Sequence, residues 1–259
     1  MSTILFSEIV FGPIKSRRLG TSLGINLLPY DGKLCSFDCI YCECGLNKNF
    51  RTKTKLPDRQ NVQSALEDKL IALKNEGIII DVITFAGNGE PTLHPQFHEI
   101  IDDTIALRNI YYPKSKISVL SNGMHLDKPK VVEALKKTDN PILKLDSAIE
   151  ETMRILDRPN SPSYSINKQI ERFKLFKNDF ILQTMFLKGV FEGQTIDNTT
   201  EEEVSAWLKL VSDLQPREVM IYTIDRETAV RGLEKVSLEK LQEIADKVES
   251  IGIKTNVAG

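Results

Sequence analysis

Much of what would sort this chain quickly into a class is missing from it. No apolar run approaches the ~20 residues a helix needs to cross a bilayer, so a helical membrane span is excluded and no membrane partner is expected. The N-terminus has no basic start followed by an apolar stretch, the mark of a secretory leader, and a cytoplasmic protein is expected. Thiols stay reduced in that compartment, which argues against a disulfide framework. No Pro/Ser-rich linker, low-complexity tract or change of composition divides the 259 residues, so one domain over 1–259 is expected. Neither sign of charge dominates: 34 basic and 36 acidic residues leave a net charge of −2, and a broad basic face for nucleic acid is not required. One short exception, Lys48, Arg51, Lys53, Lys55 and Arg59, reads either as a track for a phosphate backbone or as a solvated loop. Hydrophobic residues make up 41%, enough for a substantial buried core.

Cysteine is scarce but concentrated. Three of the four, Cys35, Cys39 and Cys42, fall inside eight residues. Three thiolates at that spacing can hold three corners of an iron–sulfur cube and leave its fourth iron without a protein ligand, whereas the usual closed site uses four cysteines. An open iron is a place for a substrate or cofactor. The other reading of the spacing is a structural zinc with Cys44 as the fourth sulfur. Zinc sites, however, pair cysteines across two separated knuckles, and here all four would crowd into ten residues.

Strand and helix patterns alternate along the chain. A first strand, Ser22 to Leu28, precedes the cysteine loop at 30–60. Asn61 opens a helical pattern with Val62, Leu66, Leu70 and Leu73 on one face, ended by Gly77. Strands follow at Ile79 to Ala86, Ile117 to Leu120, Ile142 to Leu145, Phe180 to Leu187 and Val219 to Ile224. The helices between them carry Phe97, Ile101 and Ile105; Val131, Val132 and Leu135 behind Pro129; Ile166, Ile170 and Phe173; and Val204, Trp207 and Val211 behind a capping box of Thr200 and Glu203. Leu238, Leu241, Ala245 and Val248 mark the last helix. Six strand–helix units imply an α/β fold with a parallel sheet, outer helices and right-handed crossovers. Six are too few for a closed eight-stranded barrel, so a partial (β/α)6 TIM-like barrel is expected, with chemistry at the carboxyl ends of its strands.

Those ends carry suggestive residues. The second strand runs into Gly87-Asn88-Gly89-Glu90-Pro91-Thr92 and the third into Asn122-Gly123. The fourth carries Lys144 and Asp146, two apart and so on one face, and the fifth carries Gln183 and Met185. Each has a plain reading beside the functional one. Glu90 before Pro91 organises a turn, and Asn122-Gly123 is an ordinary turn pair. Lys144 and Asp146 form either a satisfied ion pair or a substrate group, with Lys144 a candidate catalytic Schiff-base lysine. Cys44 reads as a spare thiol, His94 as structural and Trp207 as core.

With Cys35-x3-Cys39-x2-Cys42 after the first strand, Tyr41 before the last cysteine, and Gly89-Glu90-Pro91 after the second strand, the chain resembles the radical S-adenosylmethionine superfamily. That resemblance implies a [4Fe-4S] cluster on Cys35, Cys39 and Cys42, with S-adenosylmethionine chelated at the open iron and cleaved reductively to a 5′-deoxyadenosyl radical that abstracts hydrogen from substrate. It also implies Gly89 and Glu90 against the methionine amino group and Tyr41 bordering the adenine. Asn122, Asp146 and Gln183 would contact ribose or carboxylate, and a flavodoxin or ferredoxin would supply electrons.

The opening Phe11 to Gly20, with Arg17 and Arg18, together with Lys144-Leu145-Asp146, is similar to the wyosine-synthase-like group, whose best-known members act on a tRNA base. Arg17 and Arg18 then lie either on the substrate side or in pairs with carboxylates. The tRNA enzymes hold a second cluster, which needs three further cysteines, and only Cys44 remains here. That departure leaves the substrate unidentified, with an RNA base as one candidate. A glycine on a partner protein, as for an activating enzyme of a glycyl-radical protein, is the alternative. A zinc-binding interaction module without catalysis is the reading from another class.

Overall fold

The computed structural model describes residues 4–47 and 53–259. The chain divides into two compact units: one of residues 5–35 and 47–141, the other chiefly of 36–46 and 142–259.

In the first unit, β1 (Val10–Ser16) and β2 (Gly20–Ile25) make an antiparallel hairpin that the sequence pattern did not separate. Ser16 Oγ closes the turn by accepting the amides of Arg18 and Leu19. Strand β3 (Val82–Phe85) lies parallel to β2, and β4 (Lys116–Ser121) lies parallel to β3. Helix α1 (Arg59–Asn75) starts earlier than the apolar pattern implies, because the Asp58 carboxylate accepts the amide of Asn61 and caps it. Its buried face is Val62, Leu66, Leu70 and Leu73. Helix α2 (Phe97–Tyr111) buries Phe97, Ile100, Ile101 and Leu107, while α3 (Pro129–Lys136), opened by its proline, buries Val131, Val132 and Leu135.

In the second unit, β5 (Asn140–Lys144) leads to α4 (Glu150–Leu156) and α5 (Ile166–Phe173), and then to β6 (Ile181–Met185). The expected long strand from Phe180 to Leu187 is broken at Phe186, and the chain continues as a hairpin of β7 (Leu187–Phe191) and β8 (Gln194–Asp197). Next come α6 (Glu201–Leu214), β9 (Glu218–Tyr222), β10 (Leu233–Lys235), α7 (Leu238–Ser250) and β11 (Lys254–Ala258). Strands β5, β6, β9 and β11 pair in that order, all parallel, while β10, β7 and β8 form a separate antiparallel sheet. The six strand–helix alternations are present, with β11 as an added closing strand.

Trp207 is core: it is 1% exposed, its indole N–H donates to Thr184 Oγ1 at 3.1 Å, and Phe186 meets it edge-on. The capping box on α6 is half formed. Thr200 accepts the amide of Glu203, but the Glu203 carboxylate accepts from Ser147 Oγ at 2.7 Å. Among the described residues no helix is long and apolar enough to cross a membrane.

Candidate functional site

The cysteine segment is held at its leading end by backbone. Leu34, immediately before Cys35, makes an isolated parallel bridge with Gly89 in the loop that follows β3. The Leu34 amide donates to Asn88 O at 2.8 Å, and the Glu90 amide donates to Leu34 O at 3.1 Å. Gly89 has φ +140°, and a Cβ placed on it would lie 1.8 Å from the Leu34 carbonyl oxygen, so only glycine fits. The asparagine beside it is scaffold. Asn88 is fully buried, its side-chain amide donates to Phe6 O and Pro29 O, and its Oδ1 accepts the Phe6 amide.

Glu90 is buried, and its partners among the described residues are neutral donors. Its Oε1 accepts from the Thr92 amide at 3.2 Å, Thr92 Oγ1 at 2.5 Å and Ser121 Oγ at 2.8 Å; Oε2 accepts the Asn122 amide at 2.7 Å. Burial raises the carboxyl above its ordinary range, and those hydroxyl and amide donors offset part of the rise. Glu90 thereby ties the loop after β3 to the end of β4. Asn122, set by that bond, directs its side-chain amide at Cys35 Sγ, 3.7 Å away, and its Oδ1 accepts the Met124 amide.

Between Cys35 and Cys42 the segment is stitched to residues 156–160. Asp38 N donates to Asp157 O, Ile40 N to Leu156 O and Asn160 N to Ser36 O, at 2.9–3.0 Å. Cys42 N donates to Cys39 O, which closes the turn between these two thiols. Tyr41 turns its hydroxyl onto Asp146 Oδ2. Lys144, the last residue of β5, places its ammonium between Asp146 Oδ2 and Asp157 Oδ1, and also over the Tyr41 ring. Asp146 Oδ1 accepts the Met185 amide at 2.9 Å.

Burial works against charge on Lys144, Asp157 and Tyr41. It would lower the Lys144 ammonium, but the two carboxylates outweigh it and hold Lys144 well above its ordinary value. Burial raises Asp157 up to about 7 despite Lys144, and it raises Tyr41 well above a free phenol, helped by the two aspartates. An amine held so firmly as ammonium is a fixed charge; the neutral form that a Schiff base requires is disfavoured. The ion-pair reading of Lys144 and Asp146 thus describes what is observed, with Asp157 as a third member.

Asp157 had no sequence signal. It follows α4 as a lone carboxylate in Leu156-Asp157-Arg158-Pro159, where it reads as an ordinary helix end. Asn88 and Ser121 stand in the strand-end segments the sequence singles out, but neither carried a signal for the bonds it makes. Gln183 is buried in β6, opposite Met220 of β9. His94 is structural: its Nε2 lies 2.7 Å from Pro57 O, and its Nδ1 accepts the Gln96 amide. In the basic stretch, Lys48 and Arg51 lie outside the described residues. Arg59 opens α1 and forks onto Asp103 with bonds of 2.6 and 2.7 Å, so it is an ion-paired structural residue.

The donor set suits thiolate ligation. None of the four cysteines is in a disulfide, and Cys35 and Cys42 are half-buried while Cys39 and Cys44 are buried. An amide N–H on a sulfur, as Asn122 provides for Cys35, is the outer contact that orients a metal-binding thiolate. Among the described residues no group of three or more His, Cys, Asp or Glu is placed to hold a metal ion.

The family model described as the Radical SAM superfamily matches residues 31–201. A UPF0026 protein of Helicobacter pylori is 33% identical over 227 residues, covering 86% of this chain and 68% of its own length. A protein of Brachyspira hyodysenteriae named GTPase Obg is 32% identical over 92% of this chain, which spans only 33% of that protein's length. This sequence contains no Gly-x4-Gly-Lys-Ser/Thr phosphate loop. Among solved structures, a radical SAM methyltransferase from Sphaerobacter thermophilus superposes with a TM-score of 0.67 at 12% identity, over 92% of this chain and 65% of that one. SuiB of Streptococcus suis bound to S-adenosylmethionine gives 0.63 at 17%, over 90% and 50%. TYW1 with a lysine–pyruvate adduct gives 0.61 at 13%, over 90% and 74%. At such identities the likeness shows the fold, an α/β partial barrel with a curled, mostly parallel sheet. With most of its length and all three clustered cysteines inside the matched region, the chain belongs to the radical SAM superfamily.

Proposed function

We propose that this chain is an enzyme that holds a [4Fe-4S] cluster on Cys35, Cys39 and Cys42 and binds S-adenosylmethionine at the iron without a protein ligand. The chemistry such a bound pair supplies is one-electron cleavage of S-adenosylmethionine to methionine and a 5′-deoxyadenosyl radical that takes hydrogen from a substrate. The observation that carries this reading is the cysteine segment itself. Its three closely spaced thiols are anchored through backbone ahead of Cys35 and between Cys35 and Cys42, and one of them already receives an amide donor.

The chain's own residues divide the work. Glu90 spends its carboxylate on Thr92, Ser121 and Asn122, so it shapes the loop, and contact with the methionine ammonium falls to backbone carbonyls beside Gly89. Asn122 orients Cys35. Tyr41, locked through its hydroxyl, offers ring and backbone to the adenine, and Gln183 is the buried polar group of β6 proposed for ribose or carboxylate. Asp146 acts through Tyr41 and Lys144. An RNA base is the substrate proposed, reduced by a flavodoxin- or ferredoxin-type donor.

Anaerobic reconstitution tests this directly. About four irons per chain and release of 5′-deoxyadenosine under dithionite are expected. Cys39→Ala should lose both, and Cys44→Ala should keep both. One zinc and no deoxyadenosine would overturn the reading. Deuterium passing into deoxyadenosine from a labelled tRNA pool supports the RNA base; deuterium from a glycine of a partner protein replaces it with the activating-enzyme alternative.

A further inference from the structure

The buried group of Tyr41, Lys144, Asp146 and Asp157 is larger than a salt bridge needs. It contains one cation and two carboxylates, all three from beyond the cysteine segment, and one phenol from inside it. Asp157 works twice. Its carboxylate receives the Lys144 ammonium and stands 3.5 Å from the Tyr41 hydroxyl, while its backbone carbonyl receives the Asp38 amide. The same residue therefore grips the segment by main chain on one side of Cys39 and by side chain on the other. Lys144 also spans the rings of Phe37 and Tyr41, at 5.8 and 5.1 Å, which lie two residues before and two after Cys39. Cys39 is itself among the charges acting on Lys144 and Tyr41. Coulomb interaction is mutual, so this group sets the field at Cys39.

We propose that Asp157 is a positioning residue for the iron–sulfur chemistry: through Lys144 and Tyr41 it locks the Phe37–Tyr41 turn and adds negative charge to the surroundings of Cys39. The proposal rests on the cluster assignment above for its redox half and is independent of it for its loop-locking half.

Two variants separate those halves. Tyr41→Phe deletes one hydroxyl and leaves every charge in place; Asp157→Asn keeps the shape and deletes one charge. In iron-free protein, hydrogen exchange at the amides of Asp38 and Ile40 should quicken roughly tenfold or more in both variants, as losing a charge-assisted bond predicts. Exchange in β9 should stay unchanged. In reconstituted protein held well above neutral pH, where Asp157 is ionised, Asp157→Asn should retain its iron and shift the cluster's midpoint potential positive, because removing a nearby negative charge favours the added electron. Tyr41→Phe, with its charges intact, should move the potential less. Unaltered exchange in both variants, or an unaltered potential in iron-loaded Asp157→Asn, would overturn the proposal. Wild-type protein that takes up no iron would refute the cluster assignment, and the exchange experiment would still decide whether Asp157 locks the turn.

Discussion

Two buried carboxylate sites follow the cysteine segment in sequence, and they are satisfied by opposite means. Glu90 sits among neutral donors: two hydroxyls and two backbone amides take its oxygens, and among the described residues no cation is bonded to it. Asp146 and Asp157 share an ammonium and a phenol. Neutral donors define geometry and add no net charge, which suits a loop that must hold its shape around Leu34 and Cys35. A charged group defines geometry and also a field. The first kind tolerates loss of a partner in small steps. The second does not, because removing the cation strands two charges.

The harshest way to break the charged site is Lys144→Met. It leaves Asp146 and Asp157 buried without their cation and should cost about 3–5 kcal/mol at neutral pH, read from urea unfolding. The matching blow to the neutral site is Gly89→Ala. Its strained backbone costs about 1–3 kcal/mol, and its methyl group collides with the Leu34 carbonyl besides, so iron uptake should fall together with stability.

A gentler test sharpens the contrast through pH. Asp157 has a folded-state pKa of about 7 against an ordinary 3.8, so between those values the native state binds a proton that the unfolded chain has released. Stability from this residue is therefore present below about pH 4 and lost as pH rises toward 7. Asp157→Asn should flatten that part of the stability profile in parallel melts of the two proteins. The smallest effect is expected at Arg226→Ala. Its exposed pair, at 2.8 Å, with Glu43, the residue between Cys42 and Cys44, should contribute under about 1 kcal/mol and respond to salt.

The fold was legible because burial has a period. Val62, Leu66, Leu70 and Leu73 announce α1, and short apolar runs announce β3 to β6 and β9. Strand β2 was read, as Ser22 to Leu28, but its hairpin partner β1, the β7–β8 hairpin and β11 were not, because their exposed or half-buried residues carry no such rhythm. The cysteines were legible because thiol spacing is chemistry written in one stretch of chain. The Lys144–Asp146 pair was visible for the same local reason, two residues apart on one strand. Asp157 was invisible: it comes 11 residues after Asp146, and only folding reveals that it shares the same ammonium. Glu90 was found, but its partners Ser121 and Asn122 come from another strand's end, so its role as a tie could not be read in advance.

The contact between Leu34 and Gly89 bears on how a metal group would arrive. Because main-chain bonds already pin the residue ahead of Cys35, much of the conformational entropy of ligation is spent in the metal-free polypeptide. Loading then resembles insertion into a prepared socket, unlike small zinc domains whose chains fold only around their ion. Such a protein should survive stripping by a chelator with its secondary structure whole.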